Sequence, residues 1–254
     1  MKNWMPAILL SVLMVSLLTG CDVKEGNMTK EFNLDGFTKV DVGGAFDVEV
    51  AQADSFSVNV AADDFAHIRV EKVNDTLVIK RQGIEWFAPF HSQPKARISM
   101  PVLTDFTMTG ASKGKIQNFN SANSLSVTVT GASHLEAVNI SSGSLTTEVT
   151  GAATLTGDIK VNGDAKFEVT GASKLNLNGA ANNITMKVTG ASKIEFDKFP
   201  TQNADVEISG ASNGSINLNG KLNANVTGAS NLYWAGTPIM GEMQVSGASN
   251  MRRK

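Results

Sequence analysis

The chain has 254 residues, a formal net charge of −2, one cysteine, 23 glycines and 6% aromatic residues. Near-neutral charge leaves no basic stripe of the kind a nucleic-acid binder needs, and 42% hydrophobic content excludes a disordered chain. The single cysteine excludes an intramolecular disulfide framework, and three histidines and one tyrosine are a thin supply of catalytic side chains.

Lys2 and the amino terminus precede an uncharged apolar run over residues 7–18. Such a run falls short of the ~20 residues a bilayer-spanning helix needs and matches a signal-peptide core. Leu18-Thr19-Gly20-Cys21 resembles a bacterial lipoprotein lipobox, which makes residues 1–20 the signal peptide. The resemblance implies cleavage after Gly20, a thioether-linked diacylglyceryl group on Cys21 and an acyl chain such as palmitate on the new amine. At ~0.8 kcal/mol per buried methylene, two or more chains anchor a protein stably where one does not. The expected partner is thus a membrane of the bacterial cell envelope, engaged through Cys21. Asp22 resembles the inner-membrane retention signal of enterobacterial lipoproteins, a rule that is not general, so the sequence leaves inner and outer membrane open. Residues 21–30 are polar and aperiodic, as a short tether would be.

Residues 31–106 alternate apolar and polar residues in four stretches, 40–50, 55–60, 66–73 and 76–81, each reading as a strand. Gly43-Gly44-Ala45 resembles a degenerate corner. The segment 83–94 carries Trp86, Phe87, Phe90 and two prolines and reads as a surface loop. This part is expected to form irregular N-terminal rungs or a cap, since terminal repeats usually differ from inner ones.

From residue 107 to 254 the chain repeats itself. Gly-Ala-Ser, once Gly-Ala-Ala, starts at Gly110, Gly131, Gly151, Gly171, Gly190, Gly210, Gly228 and Gly247, at spacings of 18 to 21 residues. Two positions before each glycine stand Met108, Val129, Val149, Val169, Val188, Ile208, Val226 and Val245. Three positions before it stand Thr107, Thr128, Glu148, Glu168, Lys187, Glu207, Asn225 and Gln244. This is strict period-2 alternation, a strand with one buried and one wet face. Leu135, Leu155, Leu175, Ile194 and Leu232 begin a second strand four positions after their glycines, and Asn-Gly or Ser-Gly turns recur between repeats.

Two or three short strands per ~20 residues with identical columns predict the coils of a parallel β-helix, with rungs stacked about 4.8 Å apart. The Gly-Ala-Ser triplet is the expected corner, glycine supplying unusual dihedrals. A propeller fits less well, because ~20 residues is half a blade. The fold class is therefore all-β, and residues 31–254 are expected to form one continuous domain.

The succession of VGGAFDVEV, TLVIK, ARISMPVL and repeated V-T-G-A-S-x-L resembles the GIN domain, the adhesin head domain of autotransporters, over about residues 36–250. That resemblance implies a single-stranded right-handed parallel β-helix in a secreted or lipid-anchored bacterial protein of unassigned molecular function. Nothing after residue 250 reads as a translocator barrel, and the lipobox offers another route to the surface.

Chemistry is sparse. Glu148 and Glu168 fall on adjacent rungs, at a separation of roughly 5 Å that retaining glycosidases use. A polysaccharide lyase or hydrolase on a β-helix is therefore the alternative to a non-catalytic module. Lys187 adjoins Glu168 and argues for a solvated, charge-paired face instead. His67, His91 and His134 lack metal-ligand spacing, and no cofactor or metal is expected. A serine needed once for catalysis does not occur in every repeat. The Thr/Ser column ending at Ser246 raises ice binding, but its neighbour column is charged. Its hydroxyls fit a stacked ladder better. Trp86, Phe87, Phe90, Tyr233 and Trp234 are the candidate ligand contacts, able to stack on sugars or to cover core. The expected function is an adhesion or ligand-interaction module whose partner is a glycan or an envelope protein.

Overall fold

The computed structural model describes residues 28–81 and 93–254. Cys21, the lipobox and most of the tether lie outside the described residues, as do Trp86, Phe87, Phe90 and His91. Among the described residues every regular element is a strand, and the strands form a 12-stranded and an 11-stranded sheet.

Each coil contributes one strand to each sheet. Ser124–Gly131 lies in the 11-stranded sheet, the chain turns at the triplet, and His134–Ser142 lies in the 12-stranded sheet. After Gly143 the next coil begins with Ser144–Gly151, parallel to Ser124–Gly131 and aligned residue for residue. The columns read from sequence are the register itself: Val129 pairs with Val149, Val149 with Val169 and Val169 with Val188. The protein is a β-solenoid, with two strands per coil.

The interior between the sheets is filled by these columns. Val129, Val149, Val169, Val188, Ile208 and Val226 are completely buried, as are Leu135, Leu155 and Leu175 from the opposite sheet. In the valine column residues stack in unbroken register, so each aliphatic side chain there meets its like above and below. Where the columns thin, aromatics fill the space: Phe167, Phe196 and Phe199 form one cluster, with ring centroids 4.7 Å, 5.1 Å and 6.1 Å apart. One position breaks the pattern. Thr147 is buried in an apolar column, and its hydroxyl has no hydrogen-bond partner. Valine has nearly the same shape without that unmet hydroxyl. Thr147→Val is expected to raise stability by about 1 kcal/mol, read as a higher denaturation midpoint at unchanged m-value.

The N-terminal part makes both rungs and a cap, and it makes them out of chain order. Lys39–Gly43 lies between Thr76–Arg81 and Asp105–Thr109, parallel to both. In the other sheet Asp47–Gln52 likewise lies between Lys95–Met100 and Lys113–Gln117. The rung laid down first is thus enclosed by one laid down later. Gly43-Gly44-Ala45 is a corner, with Gly44 and Ala45 at φ 97° and 62°. Three antiparallel strands close this end: Ile68–Val73 on Thr76–Arg81, Ser57–Ala62 on Lys95–Met100, and Met28–Glu31 on Ser57–Ala62. Without them, the last parallel rung would offer unpaired edges in both sheets.

Candidate functional site

The corner sets the geometry of both outer faces. All eight triplet glycines have positive φ, between 74° and 96°. Side-chain parity continues through the turn, so the triplet alanine faces out and the serine faces in. Ser112, Ser133, Ser173, Ser192, Ser212 and Ser230 are buried. Their hydroxyls stitch the rungs: Ser212 Oγ accepts from Ser192 N at 3.2 Å and donates to Gly190 O at 3.1 Å. Ser192 Oγ in turn donates to Gly171 O at 3.2 Å. The hydroxyl ladder runs along serine, inside, and not along the threonine column. Repetition of this serine is structural: the hydroxyls of Ser133, Ser212 and Ser230 each accept from the buried serine N–H of the neighbouring rung.

The outer face of the 11-stranded sheet carries Glu148, Glu168, Lys187 and Glu207 in adjacent register. Glu148 and Glu168 are neighbours, as the repeat spacing requires. Lys166 binds Glu168 at 2.7 Å, and Lys187 lies 3.9 Å from Glu207. The Lys166 hydrogen bond, aided by the charges of Lys166 and Lys187, lowers the Glu168 pKa below its ordinary value. A glycosidase acid needs the reverse, a carboxyl held protonated near neutrality. Lys166 was missed in the sequence because it sits two residues along the same strand, in a separate outward column.

The outer face of the 12-stranded sheet also carries a recess. Here Glu195, Ser215, Tyr233 and Arg252 lie in register on four successive strands. Their residues line a groove of about 530 Å³, together with Lys193, Asn213, Gly214, Asp197, Arg253 and Lys254. The rung between the two large side chains carries the small Ser215, and this leaves the recess. The Arg252 guanidinium stacks on the Tyr233 ring, 4.9 Å from its centroid. Lys254 crosses the sheet to hydrogen-bond Asp197, which also accepts from Ser215 Oγ at 2.9 Å. Burial works to raise the Asp197 pKa, but the Lys254 and Ser215 hydrogen bonds outweigh it and the net shift is downward. Glu195 is also lowered, mainly by its hydrogen bond from Lys193. Both carboxylates are therefore anionic and engaged.

A second recess of about 440 Å³ continues this groove over Asn178, Asn176, Thr156 and Glu136, sharing Glu195 and Asp197 with the first. Tyr233 thus faces outward into a groove. Trp234 packs against the core from the next position. His67 and His134 are exposed, and no group of three His, Cys, Asp or Glu side chains among the described residues could hold a metal. Asp64 accepts from Ala66 N at 2.8 Å, an ordinary turn contact.

Solved structures share this architecture. A putative lipid binding protein from Parabacteroides distasonis aligns with a TM-score of 0.83 at 16% identity, covering 91% of this chain and 98% of that one. A putative adhesin from Parabacteroides merdae aligns at 0.79 and 16% identity, covering 91% and 97%. A putative adhesin from Bacteroides fragilis aligns at 0.64 and 18% identity, covering 91% and 98%. At such identities the likeness establishes the fold. No curated protein matches the chain. The family model described as "Putative auto-transporter adhesin, head GIN domain" matches residues 36–238, and the chain belongs to that family of adhesin-like bacterial envelope and surface proteins.

Proposed function

We propose that the chain is a lipid-anchored protein of the bacterial envelope, held through Cys21, whose solenoid is a non-catalytic adhesion or ligand-interaction module. The observation that carries this reading is the character of the outer faces. They present polar side chains in rungs, and in the best carboxylate pair Glu168 is bound by Lys166 and flanked by Lys187. Such a surface suits many weak contacts along an extended partner better than bond cleavage at one point. Membership of an adhesin-head family and fold likeness to adhesins support the same reading. The partner is a glycan or an envelope protein.

Two experiments test it. Wild-type protein expressed in a bacterium should pellet with membranes, whereas Cys21→Ala should move to the soluble fraction, because removing two or more acyl chains removes stable anchoring. A Cys21→Ala protein that still partitions with membranes would sink the anchor. Cleavage of any polysaccharide that disappears in Glu168→Gln would sink the non-catalytic assignment.

A further inference from the structure

The groove beside Tyr233 has the shape and charge of a sugar site. Glu195 and Tyr233 stand on strands two spacings apart, roughly 9.6 Å between backbones, with Ser215 on the strand between them. A sugar ring would lie against the face of the tyrosine turned away from Arg252, above the nearly buried Ser215. Arg252 covers the opposite face of Tyr233 and so holds the ring upright as a wall. A tyrosine so placed offers an apolar face and a polar tip, the combination that suits a pyranose.

Charge narrows the class. Lys193 is paired with Glu195 at 2.6 Å, and Lys254 is bound to Asp197. These four cancel. Among the described residues, Arg252 is not paired with any carboxylate, so the groove keeps one uncompensated guanidinium group at the Tyr233 end. A guanidinium stacked on an aromatic face still presents its in-plane donors, which match a carboxylate in two-pronged fashion. Farther along, Glu136 is neutralised by Lys115 at 3.4 Å, and Glu195 also meets Lys174 at 3.5 Å. The continuing recess offers Asn176, Asn178 and Thr156, amides and hydroxyls that bond sugar hydroxyls. The cationic demand is local, at the Tyr233 end.

We propose that this groove binds a uronic-acid unit of an acidic polysaccharide, its ring on Tyr233 and its carboxylate on Arg252, with neighbouring sugars lying toward Asn176 and Thr156. The proposal rests on the ligand-interaction reading above and names its ligand class and place.

The test is titration of the full-length protein in detergent with trigalacturonate and with the neutral galactose trimer. Trigalacturonate should bind at least roughly tenfold more tightly, and its affinity should fall with salt, as a charge-assisted contact requires. Tyr233→Ala should weaken it roughly tenfold or more while Tyr233→Phe keeps it. Arg252→Ala should abolish the preference for the acid, and Arg252→Lys should restore it only in part. All these side chains lie on an outer face, and unchanged melting temperatures would show the variants folded. Equal affinity for both trimers would overturn the proposal, as would binding untouched by Tyr233→Ala, or no binding of either trimer. Retention of wild type and Tyr233→Ala alike on isolated envelope fractions, without trimer binding, would overturn the sugar site and leave the interaction module standing. Loss of retention by both would count against the module.

Discussion

Gly171→Ala is expected to destabilise the solenoid by about 3 kcal/mol or more, although it adds one methyl group at a corner that is not buried. Two effects add. Gly171 sits at φ 89°, where a side chain costs about 1–2 kcal/mol. A Cβ built there would lie 2.4 Å from the carbonyl oxygen of Gly151 on the rung below. That carbonyl cannot swing aside, because it accepts from Ala172 N at 2.7 Å and from Ser173 Oγ at 3.3 Å. Relief therefore requires prying two rungs apart at the corner. A melting temperature lower by roughly 6 °C or more is the readout, and the exposed neighbour Ala172→Ser should stay within about 0.5 kcal/mol of wild type. A melting curve for Gly171→Ala that overlays wild type would mean the corner is not under this constraint.

The same corner explains what the sequence made legible. Stacking places residue on identical residue, so the glycines, the valine column and the leucine column had to recur at one spacing, and period-2 alternation assigned their faces. The buried serine was legible too, in principle: at two positions past the glycine it shares parity with the inward valine before the turn and the inward leucine after it. Threonine's strand preference and its regular column point to a ladder there, whereas the ladder forms on the buried serine. The groove was readable in part. Tyr233 stands five positions after Gly228, in the column that holds Glu195, Ser215 and Arg252, but the column shows neither the stacking of Arg252 nor the reach of Lys254 to Asp197. Order in the N-terminal half was not legible. Strand Lys39–Gly43 pairs with both Thr76–Arg81 and Asp105–Thr109, and alternation identifies a strand without naming its neighbours. The Asn74 turn, at φ 56°, marks the Ile68–Val73 hairpin, but enclosure of an early rung by a later one depends on long-range pairing alone.

Phe196→Ala is expected to cost about 3–5 kcal/mol, and to do so locally. Phe196 is fully buried and touches Phe167 and Phe199, so its removal leaves a void lined by two rings fixed in the stack. In a protein whose rungs contact only their neighbours, stability is close to a sum of rung terms and nearest-neighbour terms. Weakening one interior rung then lowers coupling between the parts on either side. The N-terminal side keeps its antiparallel cap, whereas the far end exposes Ile239, Met240 and Val245 on its last rung. Less support reaches that end from elsewhere. Amide hydrogen exchange on Phe196→Ala should therefore show the strands from Asn203–Ile208 onward losing protection first. Strands Ser124–Gly131 and His134–Ser142 should keep most of theirs, and Phe196→Leu should produce a smaller version of the same pattern. Uniform loss of protection along the chain would show that the solenoid unfolds as one unit, which would place its cooperativity in the whole stack and not in the contact between adjacent rungs.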